Sequence, residues 1–401
     1  MTNIEVFENY RRTELTVTNP DTVAEVWTTD YLAALADSDP TRTFFPPPFP
    51  PPRTFSTETV RQAVRLRRGG SAVRLVLSNE FGRTPLVINE VTASDSDVQS
   101  VLPVLRHGQA IWEIPAGQTA TSDSVPLSIA AGEELVVSCF VSDSAESATY
   151  LQSAQRTGEV APGNQLGQHR LAGSEPFTSL YWIAQVLIDA PAKGPVIVAL
   201  GDSITRGDGT TADGDQRYPD HLQRSLNAAG IDGAVVLNAG IGGNRLLRPR
   251  VGPSMTDRFD RDVFGVAEAS HVVIMGGVND IALPALLGEP RPSAGDIIDG
   301  LLALAHRAQQ RGLQPILGTI IPLGGSRVES FLAAGNEDMR QAVNHAVRSQ
   351  KDWPVADFAS GLAVPDDPTR LAPAFDSGDG LHPGDVGARA LADAIDLATF
   401  T

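Results

Sequence analysis

Ser203, Asp379 and His382, with amide donors at Gly243 and Asn279, are the residues whose types and spacing could carry out acyl transfer. Ser203 follows directly on Val196-Ile197-Val198-Ala199-Leu200-Gly201-Asp202, an apolar run broken by glycine. Consecutive apolar residues of this kind predict a strand buried on both faces. A serine just past such a strand lies at the carboxyl edge of a parallel sheet, where open α/β folds place their ligand chemistry. Two readings stand for this turn alone: Asp202 or Ser203 caps the next helix, or Ser203 is a nucleophile.

A serine hydroxyl is a weak nucleophile at neutral pH, so ester chemistry needs a base, a group that orients the base, and donors for the oxyanion. Of the seven histidines, His107 and His169 fall in a β-rich region, and His221, His306 and His345 fall within predicted helices. His271 begins a predicted strand, which leaves His382, in a loop expected at the sheet edge. Asp379 precedes it by three residues, a spacing that lets the carboxylate hold Nδ1–H while Nε2 faces Ser203. The Ser203 N–H, the Gly243 N–H and the Asn279 side-chain amide are the candidate oxyanion donors. Each piece has a plainer reading: Asp379 and His382 as a surface pair or half of a metal site, and Asn279-Asp280 as a helix cap. No Gly-x-Gly-x-x-Gly fingerprint, phosphate-cradling Gly-Lys-Ser/Thr or Gly-x-Ser-x-Gly elbow surrounds Ser203.

The elements that must position these groups alternate strand and helix from Val196 onward. Strands are expected at Val196 to Leu200, Ala234 to Leu237, His271 to Met275, Gln314 to Ile321 and Val355 to Phe358. Helices are expected at Tyr218 to Ala229, Ile297 to Gln310, Glu337 to Ser349 and Val386 to Leu397. This alternation predicts an α/β unit with a mainly parallel sheet and helices on both faces.

Upstream, short β-type runs separated by Gly, Pro, Asp and Ser predict an all-β sandwich or jelly roll. The runs are Val60 to Arg67, Ala72 to Leu77, Leu86 to Ile88, Val101 to Leu105, Ile111 to Ile114, Val125 to Ile129, Leu135 to Val141 and Trp182 to Ile188. Such a unit is read equally as a scaffold, a lid or a sugar-binding module. Glu25-Val26-Trp27 is a candidate short strand. Phe44 to Pro52, with six prolines, predicts a polyproline II arm over a sheet edge, with a docking site for a proline-binding module as the other reading. The expected domains are an arm at 1–54, a β-sandwich at 55–190 and an α/β unit at 191–401.

At 401 residues the chain exceeds the size at which one core stops growing, in keeping with two domains. A formal net charge of −17 argues against nucleic acid or an anionic membrane surface as a partner. The single cysteine, Cys139, excludes an internal disulfide and a cysteine-based zinc site, and its apolar neighbours predict burial. Met1 to Tyr10 lacks the basic start and apolar core of a secretory signal, so a cytoplasmic location is expected, although a chain trimmed of its signal would look the same.

Gly201-Asp202-Ser203-Ile204, the Gly243 loop, Gly277-Val278-Asn279-Asp280 and Asp379-Gly380-Leu381-His382-Pro383 together resemble the four motif blocks of the GDSL, or SGNH, hydrolase family. The resemblance covers about half of the chain. It implies an SGNH-hydrolase-like (flavodoxin-like) sheet, with Ser203 as nucleophile, His382 as base and Asp379 as its orienting carboxylate. Oxyanion donation would then come from Ser203, Gly243 and Asn279, with Gly243 preferred over Gly240 and Gly242 by its distance from Asn238. Ile204 stands where the family name implies leucine.

Arg61 to Leu66, Arg74 to Gly82, Gly243 to Leu247 and Arg258 to Asp262 are similar to a bacterial subgroup with an amino-terminal β domain that includes aryl- and carbohydrate-acyl esterases. The expected function is therefore serine ester hydrolysis without metal or organic cofactor, on short-acyl or acetyl esters of carbohydrate, aryl or small-metabolite alcohols. The alternatives are an acyltransferase using the same groups, a glycan-binding protein with a vestigial site, and a metal hydrolase built on Asp379 and His382.

Overall fold

The computed structural model describes residues 26–39, 52–146 and 148–401. The proline-rich segment therefore lies outside the described residues, apart from Pro52. The chain divides into two compact units between Pro191 and Ala192.

The first unit is β-rich, and its strand pairs are antiparallel. A six-stranded sheet is ordered Glu175–Phe177, Gly158–Pro162, Glu58–Arg65, Glu134–Val141, Glu90–Ser94 and Leu102–Pro103. A four-stranded sheet is ordered Thr28–Leu32, Ile183–Ile188, Val73–Ser78 and Thr119–Thr121. Alternating residues of both sheets, among them Val60, Val64, Leu135, Val137, Leu75, Leu77, Val186 and Ile188, share one apolar core. Cys139 is part of that core, and burial pushes its thiol up to about 12.

Differences from the expected strands have local causes. Val26 and Trp27 lie just before the first strand, which begins at Thr28. The run at Val125 shrinks to a single bridge with Val73 and the strand Ile129–Ala130, because Pro126 between them has no N–H to donate.

The second unit holds five parallel strands: β1 (Val196–Gly201), β2 (Val235–Gly240), β3 (His271–Met275), β4 (Gln314–Gly318) and β5 (Val355–Ala356). Their order is β2-β1-β3-β4-β5. Helices are α1 (Ser203–Arg206), α2 (Tyr218–Ala228), α3 (Met255–Phe259), α4 (Val278–Leu287), α5 (Ala294–Gln310), α6 (Asn336–Ser349), α7 (Phe358–Leu362) and α8 (Asp385–Asp393).

Successive residues of β1 point to opposite faces and all are buried, as the unbroken apolar run requires. Ile197 and Ala199 join the core formed with Tyr218, Leu222 and Leu226 of α2 and Leu391 of α8. α5 packs against β3 and β4 through a stripe of Ile297, Leu301 and Leu304. Among the described residues no helix is long and apolar enough to cross a membrane.

β4 and β5 end earlier than expected. Past Gly318 the chain leaves the ladder, and the Ile320 N–H donates to the side chain of Asn344 on α6. After Ala356 the Asp357 carboxylate caps α7 by accepting from the Ser360 N–H, so Phe358 begins a helix rather than ending a strand.

Candidate active site

The parallel register sets the site. Gly201 at the end of β1 stands level with Gly240 of β2 and Met275 of β3, so the segments after these strands leave from one edge of the sheet. On the first segment, Asp202 is the helix cap: its Oδ1 accepts from the Ile204 N–H at 3.0 Å. Ser203 opens α1, and its hydroxyl is left for another partner. That partner is His382, whose Nε2 lies 2.9 Å from Ser203 Oγ. His382 Nδ1 lies 2.6 Å from Asp379 Oδ2. Asp202 thus takes the capping role, and the Ser203 hydroxyl is left bonded to an imidazole.

The loop that carries the imidazole and carboxylate is clamped by its own backbone. Asp376 Oδ1 accepts from the N–H groups of Gly378 and Gly380, each at 2.9 Å. Asp379 Oδ1 accepts from Leu381 and His382 at 2.8 and 2.7 Å, so one carboxylate binds both the ring and the backbone of the same histidine. Gly380 has φ +74°, and a Cβ there would lie 1.8 Å from the Gly325 carbonyl oxygen; only glycine fits this position.

Charge follows from these contacts. Burial works to raise the Asp379 carboxyl, but the hydrogen bond and charge of His382 and the two backbone amides outweigh it and hold the group at about 2. Burial works to lower the His382 imidazole; the Asp379 hydrogen bond and the charges of Asp208, Asp379 and Asp202 outweigh it and raise it above its ordinary value. Asp202 goes the other way from Asp379. Burial pushes its carboxyl up to about 7, and its Oδ2 has no hydrogen-bond partner among the described residues.

Gly243 lies on the loop after β2 with φ +67°, and Val251 occupies the space a Cβ would need, at 2.8 Å. Asn279 lies in the first turn of α4, which Gly277 precedes without a side-chain cap. Neither Asn279 nor Asp280 caps that helix. Asn279 Nδ2 donates to the Asn244 carbonyl at 3.0 Å, and Asp280 accepts from the Leu246 and Leu247 N–H groups at 2.6 and 3.0 Å. The third segment is therefore tied to the second by side chains that reach backbone.

Ser203, His382 and Asp379 form a continuous hydrogen-bonded line, and Asn279 is bonded to the residue that follows Gly243. The remaining histidines take other roles where their bonds are seen: His271 Nε2 meets the Thr399 carbonyl, His306 Nδ1 the Leu302 carbonyl, and His221 Nδ1 Arg224. Sequence reasoning assigned no role to Asn244 and did not single out the Arg206–Asp208 pair. Arg206 is buried and grips Asp208 through two bonds of 2.7 and 2.6 Å, while the Asp208 N–H donates to the Ser203 carbonyl at 2.9 Å. A charge pair two residues apart, directly after the Gly201-Asp202-Ser203 turn, is the signal that could have pointed to it.

The second unit is built on a parallel α/β sheet, and most of it matches a family described as lipases and acylhydrolases. Residues 199–390 match the GDSL-like Lipase/Acylhydrolase family. An uncharacterized lipoprotein of Bacillus subtilis (strain 168), YqeF, is 35% identical over 130 residues, 32% of this chain and 49% of its own length. The match thus spans about half of that curated relative.

Among solved structures, a lipase/acylhydrolase from Enterococcus faecalis is 24% identical, covering 50% of this chain and 92% of its own, with a TM-score of 0.39. A GDSL-like lipase from Bacteroides thetaiotaomicron is 19% identical over 52% and 89% of the two chains, with a TM-score of 0.40. An acetyl xylan esterase from Geobacillus stearothermophilus is 21% identical over 50% and 92%, with a TM-score of 0.39.

Proposed function

We propose that residues 191–401 act as a serine carboxylic-ester hydrolase in which Ser203, His382 and Asp379 are the catalytic triad. The observation that carries this reading is the unbroken line from Ser203 Oγ through His382 to Asp379, with bonds of 2.9 and 2.6 Å. His382 Nε2 takes the Ser203 proton as Oγ attacks the acyl carbon, and the carbonyl oxygen becomes an oxyanion facing the Ser203 N–H, the Gly243 N–H and the Asn279 amide. The imidazolium then gives its proton to the leaving alcohol oxygen. Water, deprotonated by the same nitrogen, cleaves the acyl-serine to release the acid and restore Ser203. Asp379, ionised at any working pH, holds Nδ1–H and stabilises the transient imidazolium.

Within this class the substrates are short-acyl or acetyl esters of carbohydrate, aryl or small-metabolite alcohols. A panel from acetyl to decanoyl esters, together with acetylated sugars, ranks them. The deciding experiment for the chemistry is Ser203→Ala: p-nitrophenyl acetate turnover and labelling by a fluorophosphonate probe should both disappear while the circular dichroism spectrum stays that of the wild type. Turnover that survives the substitution would sink the assignment.

A further inference from the structure

Arg258 is wholly buried on α3, outside the four motif blocks in sequence, and its guanidinium is used almost completely. Nη2 donates to the Gly201 carbonyl at 2.7 Å, Nη1 to the Ala239 carbonyl at 2.8 Å, and Nε to Asn244 Oδ1 at 3.0 Å. Asp262, also buried, balances the charge through a bond of 2.7 Å to Nη1. Each acceptor lies close to a proposed oxyanion donor. Gly201 is two residues before Ser203, Ala239 is the penultimate residue of β2, which leads into the Gly243 loop, and Asn244 follows Gly243 and accepts from Asn279 through its own carbonyl.

Resting on the proposed reading of Ser203, Gly243 and Asn279, we infer that Arg258 is a positioning residue: one guanidinium fixes the relative placement of the three segments that bear the oxyanion donors. Arginine suits this because its donors form a rigid planar fork, whereas a lysine ammonium is a single point with rotatable donors. A buried ion pair is weak evidence for stability, since apolar residues often replace one at no cost. What an apolar replacement cannot do is bind the carbonyls of two neighbouring strands and a loop side chain together. Oxyanion donors act because they are already in place when charge develops, and misplacement by about 1 Å can cost ~10²-fold in rate.

The test compares Arg258→Lys, Asn244→Ala and the double variant, with Leu391→Ala on α8 as a control that loosens the core on the opposite face of the sheet. The readouts are kcat and KM for p-nitrophenyl acetate, the pH midpoint of kcat/KM, and thermal unfolding. Each of the first two should lose ~10²-fold in kcat, with KM within about threefold and the pH midpoint unmoved, because the His382–Asp379 pair is untouched. The double variant should lose clearly less than the product of the two single losses, since both remove the Arg258–Asn244 bond, although Asn244→Ala also removes the bonds of Nδ2 to the Val251 and Pro253 carbonyls. Leu391→Ala should lower the melting temperature and keep kcat.

Wild-type kcat in Asn244→Ala would overturn the inference even if Arg258→Lys failed to fold. Additive losses in the double variant, or an equal kcat loss in Leu391→Ala, would overturn it as well. A wild-type protein without ester turnover would instead count against the reading of the site itself.

Discussion

Replacing Asp202 with asparagine should make the second unit more stable at alkaline pH and not at acid pH. The Asp202 carboxyl sits at about 7 in the folded protein against an ordinary value of 3.8, because burial disfavours its charge. Protons are therefore held more tightly by the folded state. The stability is fully present below about pH 4 and is lost as the pH rises from there to about 7. At 1.36 kcal/mol per pH unit, ionisation costs the native state on the order of 4 kcal/mol by pH 8.

Asparagine keeps the Oδ1 acceptor that caps α1, but it places an N–H₂ where Oδ2 lacks a partner, at a cost of about 1–3 kcal/mol. The net gain expected at pH 8 is then about 1–3 kcal/mol, and at pH 4, where ionisation costs almost nothing, it becomes a loss of about 1–3 kcal/mol. Urea unfolding at both pH values, with hydrogen exchange followed in the β1–α1 segment, measures the difference. Equal wild-type and variant gaps at pH 4 and pH 8 would refute the reasoning, because they would mean that the carboxyl ionises as easily inside as outside.

Asp379→Asn should lower kcat by ~10⁴-fold without unfolding the protein, since an amide can favour the wrong imidazole tautomer; near-normal turnover would show that another group orients His382. In the wild type, kcat/KM should fall as the pH drops, with a midpoint above the ordinary imidazole value of 6.5, because only neutral His382 can take the proton and its neighbours favour the charged form. A midpoint at or below 6.5 in a pH–rate profile would contradict this. Gly380→Ala should cost at least about 2 kcal/mol in thermal unfolding and most of the activity, through the clash with Gly325 and the strained φ; a fully active variant with an unchanged melting temperature would show that the loop relaxes freely.

The elements that were legible in the sequence are those whose burial is complete or periodic. β1 is apolar at every position because both faces are covered, and α5 shows its stripe plainly. α4 was harder to read. Its residues are buried on nearly all sides from Val278 to Pro284, so no helical stripe marks it, and Pro284 inside it looks like a breaker.

The serine, base and carboxylate stand out because their chemistry depends on residue type. Arg258, Asn244 and Asp280 fall in stretches that carry a resemblance, but they work by bonding backbone groups of other segments, and such a role leaves no mark in residue type. The strand at Glu90–Ser94 is masked for a related reason: Thr92 and Ser94 are polar in type and Ala93 is small, yet all three are buried between neighbours in the sheet.

Ser203 and His382 are 179 residues apart along the chain, with the whole sheet from β2 to β5 between them. A ribosome adding about 5–20 residues per second therefore makes the proposed nucleophile roughly ten to forty seconds before its proposed base. During that interval the growing chain carries a serine that has no means of losing its proton. Reactivity would be switched on late, by one loop closing against a sheet already built, and an unfinished copy would be chemically silent.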